Sequence, residues 1–201
     1  MKKYKKISGQ GGRSTLEMVG VLTIMGILTI IGIAGYSKAM PKYKMSKLNE
    51  QTALIITNIR AAYSIKDNYD GLTTAAAIQM GAVPREMARK NADGVTESAY
   101  NAFSGHVFLT PAADNKSVFI TMAGLPKNAC VALASADWGG QLGAGLVSIG
   151  TLAQEEQVPV GEQLQRYIGF AEDGTIPLSP ALASQGCSSL ESKNAVVIQY
   201  H

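Results

Sequence analysis

The sequence MVGVLTIMGILTIIGIAGY, residues Met18–Tyr36, is a nearly continuous apolar run close to the amino terminus. It contains nineteen residues and no charged side chain. An α-helix rises about 1.5 Å per residue, so this segment extends for roughly 28 Å as a helix, close to the hydrocarbon thickness of a bilayer. It is therefore long enough to cross a membrane once.

A single carboxylate, Glu17, directly precedes the apolar segment, and four lysines lie upstream of Gly11 and Gly12. A charged side chain at the centre of a membrane helix costs about 2.5–3.5 kcal/mol and is usually paired there. The apolar helix supplies no such partner. We therefore expect Glu17 to be paired from outside the helix.

Two ordinary interpretations of the segment remain open. A secretory signal has a shorter apolar region and a small-residue cleavage site, whereas the best candidate site here, Ser37-Lys38-Ala39, contains a lysine. A plain single-span anchor fits the length, but it leaves Glu17 and the two glycines before it without a role.

A third interpretation comes from a resemblance to the processing signal of type IV pilins. The shared order is a lysine-bearing leader, Gly12, Glu17 as the fifth residue after it, and an apolar run. The resemblance implies that an inner-membrane prepilin peptidase cuts between Gly12 and Arg13 and methylates the new amino terminus at Arg13. Family members usually have a hydrophobic residue after the cut, where this chain has Arg13.

The resemblance also implies a role for Glu17 in assembly. Cleavage creates an α-amino group with an ordinary pKa near 7.7–8.0, which is a cation at neutral pH. When the apolar helices of several subunits pack together, Glu17 of one meets the amino terminus of its neighbour, which neutralises both charges and sets the register. The implied partners are other copies of the chain in a helical filament, the prepilin peptidase, the pilus assembly machinery and, before assembly, the inner membrane.

Removing the leader changes the sign of the formal net charge of the chain. The 201 residues carry a formal net charge of +3, with 18 basic and 15 acidic residues. Without the four leader lysines, 14 basic residues remain against 15 acidic ones, a net charge of −1. No nucleic-acid partner is predicted, because the basic excess belongs to the precursor. Lys38, Lys42, Lys44 and Lys47 follow the apolar segment, so the positive-inside rule alone does not choose the orientation.

The chain has room for the span and one further domain. The expected parts are a leader (1–12), the transmembrane and assembly half of a long helix (13–36), its amphipathic half (37–70) and a globular head domain (71–201). Within the membrane half, Gly20, Gly26, Gly32 and Gly35 are open to two interpretations: they loosen the helix in the filament, or they allow close helix packing.

Two cysteines, Cys130 and Cys187, both lie beyond the membrane segment. In an oxidising compartment we expect a disulfide between them, with two buried free thiols as the alternative. Two cysteines and two histidines are too few for a usual four-ligand zinc site without carboxylates. No metal and no cofactor are predicted.

Periodicity predicts the remaining elements. One helix is expected from about Arg13 to Asp67, bent at Pro41, and a second helical region over Thr73–Lys90 is broken at Gly81 and Pro84. A loop is expected over Asn91–Gly105. The other predicted elements are strands at His106–Thr110, Val118–Met122, Leu146–Ile149, Gln165–Ala171 and Ala195–Tyr200, and short helices at Ala129–Ser135 and Pro177–Gln185.

The sequence contains only weak candidates for a catalytic site. Cys130 and His106 are far apart, and a disulfide consumes the thiol. The acid pairs Glu155-Glu156 and Glu172-Asp173 are typical of solvated surface, and the glycine-rich run 139–145 lacks the lysine of a phosphate-binding loop. The aromatic residues are expected in the core or at interfaces rather than in a ligand cage: Tyr63, Tyr69, Tyr100, Trp138 and Tyr167. We predict that the chain is not an enzyme and has no catalytic residues.

A narrower resemblance covers the carboxyl-terminal half. Ser117–Thr121, the run Gly124–Cys130, a second cysteine and a terminal strand are similar to type IVb major pilins of the toxin-coregulated-pilus and plasmid thin-pilus kind. The resemblance implies an α+β fold, in which a long amino-terminal helix packs on an antiparallel sheet and Cys130 bridges Cys187 near the carboxyl terminus.

The implied function is that of a structural pilus subunit, held in the inner membrane as a precursor and then polymerised into an extracellular filament (fimbrium). Its exposed surface, within residues 130–187, would mediate adhesion, bacterial aggregation or conjugative contact. A minor pilin or a secretion-system pseudopilin is one alternative. A single-span anchored periplasmic binding domain is another.

Overall fold

A computed structural model of the chain describes residues 14–66, 68–90, 94, 97–138, 145–153, 169–172 and 176–201. Its helices are α1 (Thr15–Tyr63), α2 (Thr74–Gln79), α3 (Lys127–Ala134) and α4 (Pro180–Gly186). Its strands are β1 (Ala88–Lys90), β2 (Glu97–Tyr100), β3 (His106–Pro111), β4 (Val118–Leu125), β5 (Leu146–Leu152), β6 (Gly169–Glu172) and β7 (Asn194–Tyr200). The chain divides after Tyr43 into an amino-terminal unit and a head unit, Lys44–His201.

Helix α1 contains both the apolar segment and the amphipathic segment that follows it, in one helix of 49 residues. Pro41 lies inside this helix and does not end it, which agrees with the sequence-based prediction. The helix ends at Tyr63 rather than at the predicted Asp67, which is outside the described residues. Beyond Tyr63 the chain enters a tighter turn, in which the Lys66 N–H donates to the Tyr63 carbonyl at 2.9 Å.

Seven antiparallel strands form one sheet in the order β1-β2-β3-β4-β7-β5-β6. The strands predicted at His106–Thr110 and Val118–Met122 are present and form a hairpin around Asp114-Asn115-Lys116, with Val107 of β3 opposite Met122 of β4. Asn115 has φ of 56°, a left-handed conformation that asparagine adopts more easily than most residues. The carboxyl-terminal strand β7 lies between β4 and β5, so it is an interior strand of the sheet.

The core of the head unit lies between the sheet and the part of α1 that belongs to this unit. Leu48, Ile55 and Ile59 are fully buried and share one face of α1, because they are seven and four residues apart. They belong to the same apolar cluster as Ile120 of β4 and Ile198 of β7. The predicted α+β architecture, a long helix packed on an antiparallel sheet, is therefore confirmed.

The sequence-based prediction is wrong at one edge of the sheet. The helical region predicted over Thr73–Lys90 contains α2, and the break predicted at Gly81 is present, where φ is +78°, but the region ends in strand β1. The loop predicted over Asn91–Gly105 contains strand β2, which pairs with β1 and β3. Both strands are short and contain charged residues, so they lack the alternating apolar pattern that identifies a strand.

The other predicted elements overlap the observed ones. Helices α3 and α4 and strands β5 and β7 lie within or across the segments predicted for them. Pro126 is the residue before α3, as expected from its fixed φ. Strand β6 overlaps the end of the predicted strand Gln165–Ala171, whose first residues lie outside the described part of the chain.

Gly105, in the turn before β3, has no room for a side chain. A Cβ atom there would lie 1.9 Å from the carbonyl oxygen of Ala123. The contact is with backbone, so the sheet itself has to move. We expect Gly105→Ala to lower the free energy of unfolding by about 3 kcal/mol or more, measured by denaturant unfolding.

Gly71→Ala is the comparison variant for that measurement. Gly71 has φ of +74° and open space around its Cβ position, so alanine there is strained but meets no atom. Its expected cost is about 1–2 kcal/mol. A Gly105→Ala variant no less stable than Gly71→Ala would show that the close approach of Gly105 to Ala123 carries little energy.

Candidate functional site

The amino-terminal unit presents an apolar helix that nothing in the described structure covers. Every residue from Ser14 to Ala39 is exposed. Within the described residues, α1 is the one helix long and apolar enough to cross a membrane. The hydroxyls of Thr23 and Thr29 donate to the carbonyls four residues earlier, each at 2.8 Å. These polar groups are therefore satisfied inside the helix, as a lipid environment requires.

Glu17 lies in the first turn of α1. Its backbone N–H donates to the Ser14 carbonyl at 2.9 Å, and its exposed carboxylate has no partner among the residues that the structure describes. The dipole of the helix favours an acid at this end by about 0.3–1 kcal/mol, which is less than the cost of an unpaired charge in lipid. The predicted cleavage residues, Gly12 and Arg13, lie outside the described part of the chain.

The four glycines of the apolar segment have free space around them. A Cβ atom added at Gly20, Gly26, Gly32 or Gly35 would meet no heavy atom within 4 Å. No contact among the residues that the structure describes therefore requires glycine at these positions. Both predicted roles, a helix that loosens and a surface for close packing between subunits, remain compatible with this geometry.

The disulfide between Cys130 and Cys187 is present, and the alternative of two free thiols is wrong. Cys130 lies on α3 and Cys187 is the residue that ends α4, with a Cα–Cα distance of 5.9 Å and 57 residues of sequence separation. Both residues are fully buried. The bond therefore ties the carboxyl-terminal part of the head to the helix that follows β4.

The Cys130–His106 arrangement does not form a nucleophile and base, because Cys130 is in the disulfide. His106 instead lies between two rings, with centroid distances of 4.5 Å to Tyr100 and 5.7 Å to Phe108. Its role is packing along β2 and β3. The acid pair Glu155-Glu156 lies outside the described residues, as do Asp173 and most of the glycine-rich run.

Three of the singled-out aromatic residues are buried, which agrees with the prediction that they belong to the core. They are Tyr63, Tyr69 and Trp138. The rings of Tyr63 and Tyr69 are 5.2 Å apart. Burial raises the pKa of the Tyr69 hydroxyl. Tyr167 lies outside the described residues.

Polar contacts fix the first turns of α1 in the head unit. Lys47 Nζ lies 2.8 Å from Glu86 Oε1 and 3.3 Å from Glu50 Oε2, and Gln51 Oε1 accepts a hydrogen bond from the Ala102 N–H at 3.0 Å. The hydrogen bond from Lys47 lowers the pKa of Glu86. The pair therefore stabilises the fold above the unfolded-state pKa of Glu86, and the contribution is lost as pH falls through the lowered value. It is small because the pair is exposed to solvent.

Sequence reasoning missed the contacts of Lys47 and Gln51 with the head. The pair of Lys47 with Glu50 has a sequence signal, because residues three apart lie on the same face of a helix. The contacts with Glu86 and Ala102 join parts of the chain that are distant in sequence. No pattern along the chain identifies them.

The sequence matches the family described as PilS N terminal over residues 42–199. The chain belongs to this PilS family. The match covers the head unit and begins just after the apolar segment, so it is independent of the processing signal. No curated protein is a significant match to the sequence.

The fold of this PilS family member is also found in a solved pilin. The crystal structure of a type IVb pilin from Salmonella typhi aligns with a TM-score of 0.51 and 19% identity, over 78% of this chain and 98% of that one. A type IV pilin from Vibrio cholerae El Tor, TcpA, aligns with a TM-score of 0.47 and 16% identity, over 79% and 99%. The similarity to type IV pilins of the IVb kind is confirmed.

Proposed function

We propose that the chain is the precursor of a structural type IV pilus subunit, which is processed in the inner membrane and then polymerises into an extracellular filament. Membership of the PilS family and the pilin fold support the subunit role. In this role the protein has no reaction to catalyse. Its work is mechanical and depends on contacts between copies of the chain.

One observation carries the proposal: the apolar half of α1 is exposed along its whole length. Folded soluble proteins rarely expose an apolar surface of this size, and such surfaces usually contact lipid or another protein. Lipid covers it in the precursor. In the filament, the same segments of neighbouring subunits cover it.

The core of the head unit does not include this apolar surface. Its own core is closed by α1, the sheet and the disulfide. A head that is already folded does not have to rearrange when the apolar helix moves from lipid to its neighbours. Assembly therefore exchanges one apolar environment for another and exposes little new apolar surface to water.

The proposed processing step is cleavage between Gly12 and Arg13, followed by methylation of the Arg13 nitrogen. Glycine at the cut lets the backbone lie extended in a peptidase without steric cost. Cleavage also removes the leader lysines and creates the cationic amino group that Glu17 of a neighbouring subunit would pair with.

Replacing Gly12 tests this step. We expect Gly12→Val to block removal of residues 1–12, because the added side chain prevents the close approach of the peptidase that glycine allows at the cut. The measurement is the intact mass of membrane protein from cells that carry a prepilin peptidase. Gly9→Val, in the same leader, is the matched control and should be processed normally.

Two results of that measurement would contradict the proposal. One is a wild-type chain that still begins at Met1 in the presence of the peptidase, as expected of an anchored periplasmic domain. The other is normal shortening of the Gly12→Val variant, which would move the cut elsewhere.

The composition of purified filaments tests the subunit role. A major pilin makes up most of the filament mass, whereas a minor pilin or a pseudopilin contributes a small share. The contacts that the filament makes, whether in adhesion, aggregation or conjugation, are expected on the head surface within residues 130–187. Part of that surface lies outside the described residues.

A further inference from the structure

Two lysines, Lys38 and Lys42, lie directly after the apolar segment on α1. Both are exposed, and neither has an acidic partner among the residues that the structure describes. The sequence has no Asp or Glu between Glu17 and Glu50. This stretch of helix is therefore purely cationic, and nothing described in its own unit neutralises it.

The next two lysines, Lys44 and Lys47, both contact other residues of the head unit. Lys44 Nζ lies 5.7 Å from the centroid of the Phe103 ring, and Lys47 forms ion pairs with Glu50 and Glu86. The unsatisfied charge is thus confined to Lys38 and Lys42. Since they are four residues apart, they project from the same face of the helix.

Two tyrosines flank these lysines. Tyr36 and Tyr43 are each 64% exposed, and they share a helix face because they are seven residues apart. Tyrosine is enriched where a membrane helix leaves the hydrocarbon, since its ring is apolar and its hydroxyl can hydrogen-bond to water. The pattern of lysines and tyrosines is therefore that of a membrane–water interface.

Lys38 and Lys42 also lie at the depth expected for the lipid headgroups. At about 1.5 Å per residue, Lys38 lies roughly 3 Å and Lys42 roughly 9 Å beyond Tyr36 along the helix. Side chains in a helix lean toward its amino terminus, so both ammonium groups return toward the apolar segment. The headgroup layer on each side of a bilayer is about 5–7 Å thick. Both ammonium groups therefore reach the phosphates.

We propose that Lys38 and Lys42, flanked by Tyr36 and Tyr43, bind the phosphates of anionic phospholipid headgroups at the end of the membrane span. The site rests on the membrane stage of the proposed function. Charge complementarity favours anionic over zwitterionic lipid, because the phosphate of a zwitterionic headgroup is offset by the headgroup's own cation, whereas an anionic headgroup presents a net negative charge to the two lysines. The lysines have to release these lipids when the subunit enters the filament.

Spin-label electron paramagnetic resonance on the full chain in phosphatidylcholine bilayers tests the site. The experiment compares how strongly spin-labelled phosphatidylglycerol and spin-labelled phosphatidylcholine are immobilised by the protein. The four leader lysines are also cationic, so the comparison uses a background in which Lys2, Lys3, Lys5 and Lys6 are replaced by glutamine. K38Q/K42Q is the test variant. K116Q/K127Q, which removes two exposed lysines of the head unit, is the matched control.

In the background chain we expect phosphatidylglycerol to be preferred several-fold, with a ceiling of about fivefold per lysine. The preference should fall to near one in K38Q/K42Q, persist in K116Q/K127Q, and weaken as salt screens the headgroups. An unchanged preference in K38Q/K42Q would overturn the lipid site. So would a background chain that immobilises both lipids equally, the result expected if these lysines serve an acidic protein surface instead.

A different result would tell against the proposed function itself. If neither labelled lipid is immobilised, the chain does not enter the bilayer, and the membrane stage fails together with the lipid site. Immobilised lipid without a preference for phosphatidylglycerol leaves the membrane stage intact and removes the lipid site alone.

Discussion

Replacing Glu17 by alanine is expected to abolish filament assembly while cleavage between Gly12 and Arg13 continues. In the proposed filament the new amino group at Arg13 of one subunit is buried beside Glu17 of another. Removing one member of a buried ion pair costs about 3–5 kcal/mol, because the other charge is left unpaired in a low-dielectric environment. A penalty of that size for every subunit added weakens each addition by more than about a hundredfold.

The measurement is the amount of sheared filament recovered from cells, together with the intact mass of the membrane-bound subunit. Glu50→Ala is the matched control, because it removes an exposed acid from the same helix, where Glu50 makes only a surface ion pair with Lys47. Glu50→Ala should leave filament yield near the wild-type level. A wild-type yield from Glu17→Ala would remove the argument that this acid sets the register.

Removing the Cys130–Cys187 disulfide is expected to have the second large effect. The bond closes a loop with 57 residues of sequence separation, for which the chain-entropy estimate is about 4 kcal/mol of stability. A single domain is typically stable by about 5–15 kcal/mol, so this is a large share of the total. We expect the Cys130→Ala/Cys187→Ala variant to unfold at a much lower denaturant concentration.

The single tryptophan of the chain, Trp138, provides the measurement. It is buried next to the end of α3, so its fluorescence reports unfolding of the region that the disulfide holds. The Cys130→Ser/Cys187→Ser variant separates the contribution of the bond from that of burial, because serine adds an unpaired polar group at each site. An alanine double variant as stable as the wild type would show that packing alone holds the carboxyl-terminal part.

Local signals were enough to predict much of this fold. The apolar run predicts the first half of α1, and the stripe that includes Leu48, Ile55 and Ile59 predicts the half that packs on the sheet. The β3–β4 hairpin follows from two alternating runs around Asp114-Asn115-Lys116. In each case the residues that form the element are neighbours in sequence, so their periodicity contains the information.

The sheet order could not be predicted in the same way. Strand β7 lies between β4 and β5, a placement that depends on contacts between segments far apart along the chain. Strands β1 and β2 are short and contain charged residues such as Arg89, Lys90 and Glu97. Their sequence resembles a loop, and only pairing with a neighbouring strand makes them part of the sheet.

Some features of the candidate site could be predicted from the sequence, and others could not. Glu17 and the apolar segment are visible in the sequence, because a lone acid beside an uncharged run of this length is unusual. The pairing of Cys130 with Cys187 follows once these two cysteines are placed in an oxidising compartment. The contact of Lys47 with Glu86 is not visible in the sequence. Without it, the sequence does not show that Lys38 and Lys42 differ from the lysines that contact the head unit.

A cryo-electron microscopy structure of the assembled filament would show whether Glu17 pairs with the amino terminus of a neighbouring subunit. The distance to measure is that between the Glu17 carboxylate of one subunit and the amino-terminal nitrogen of Arg13 of a neighbouring subunit. We predict a chain that begins at Arg13, with the two groups within ion-pair distance, about 4 Å or less, inside a bundle of apolar helices. Filament subunits that begin at Met1, or a Glu17 carboxylate that faces solvent away from every amino terminus, would contradict it.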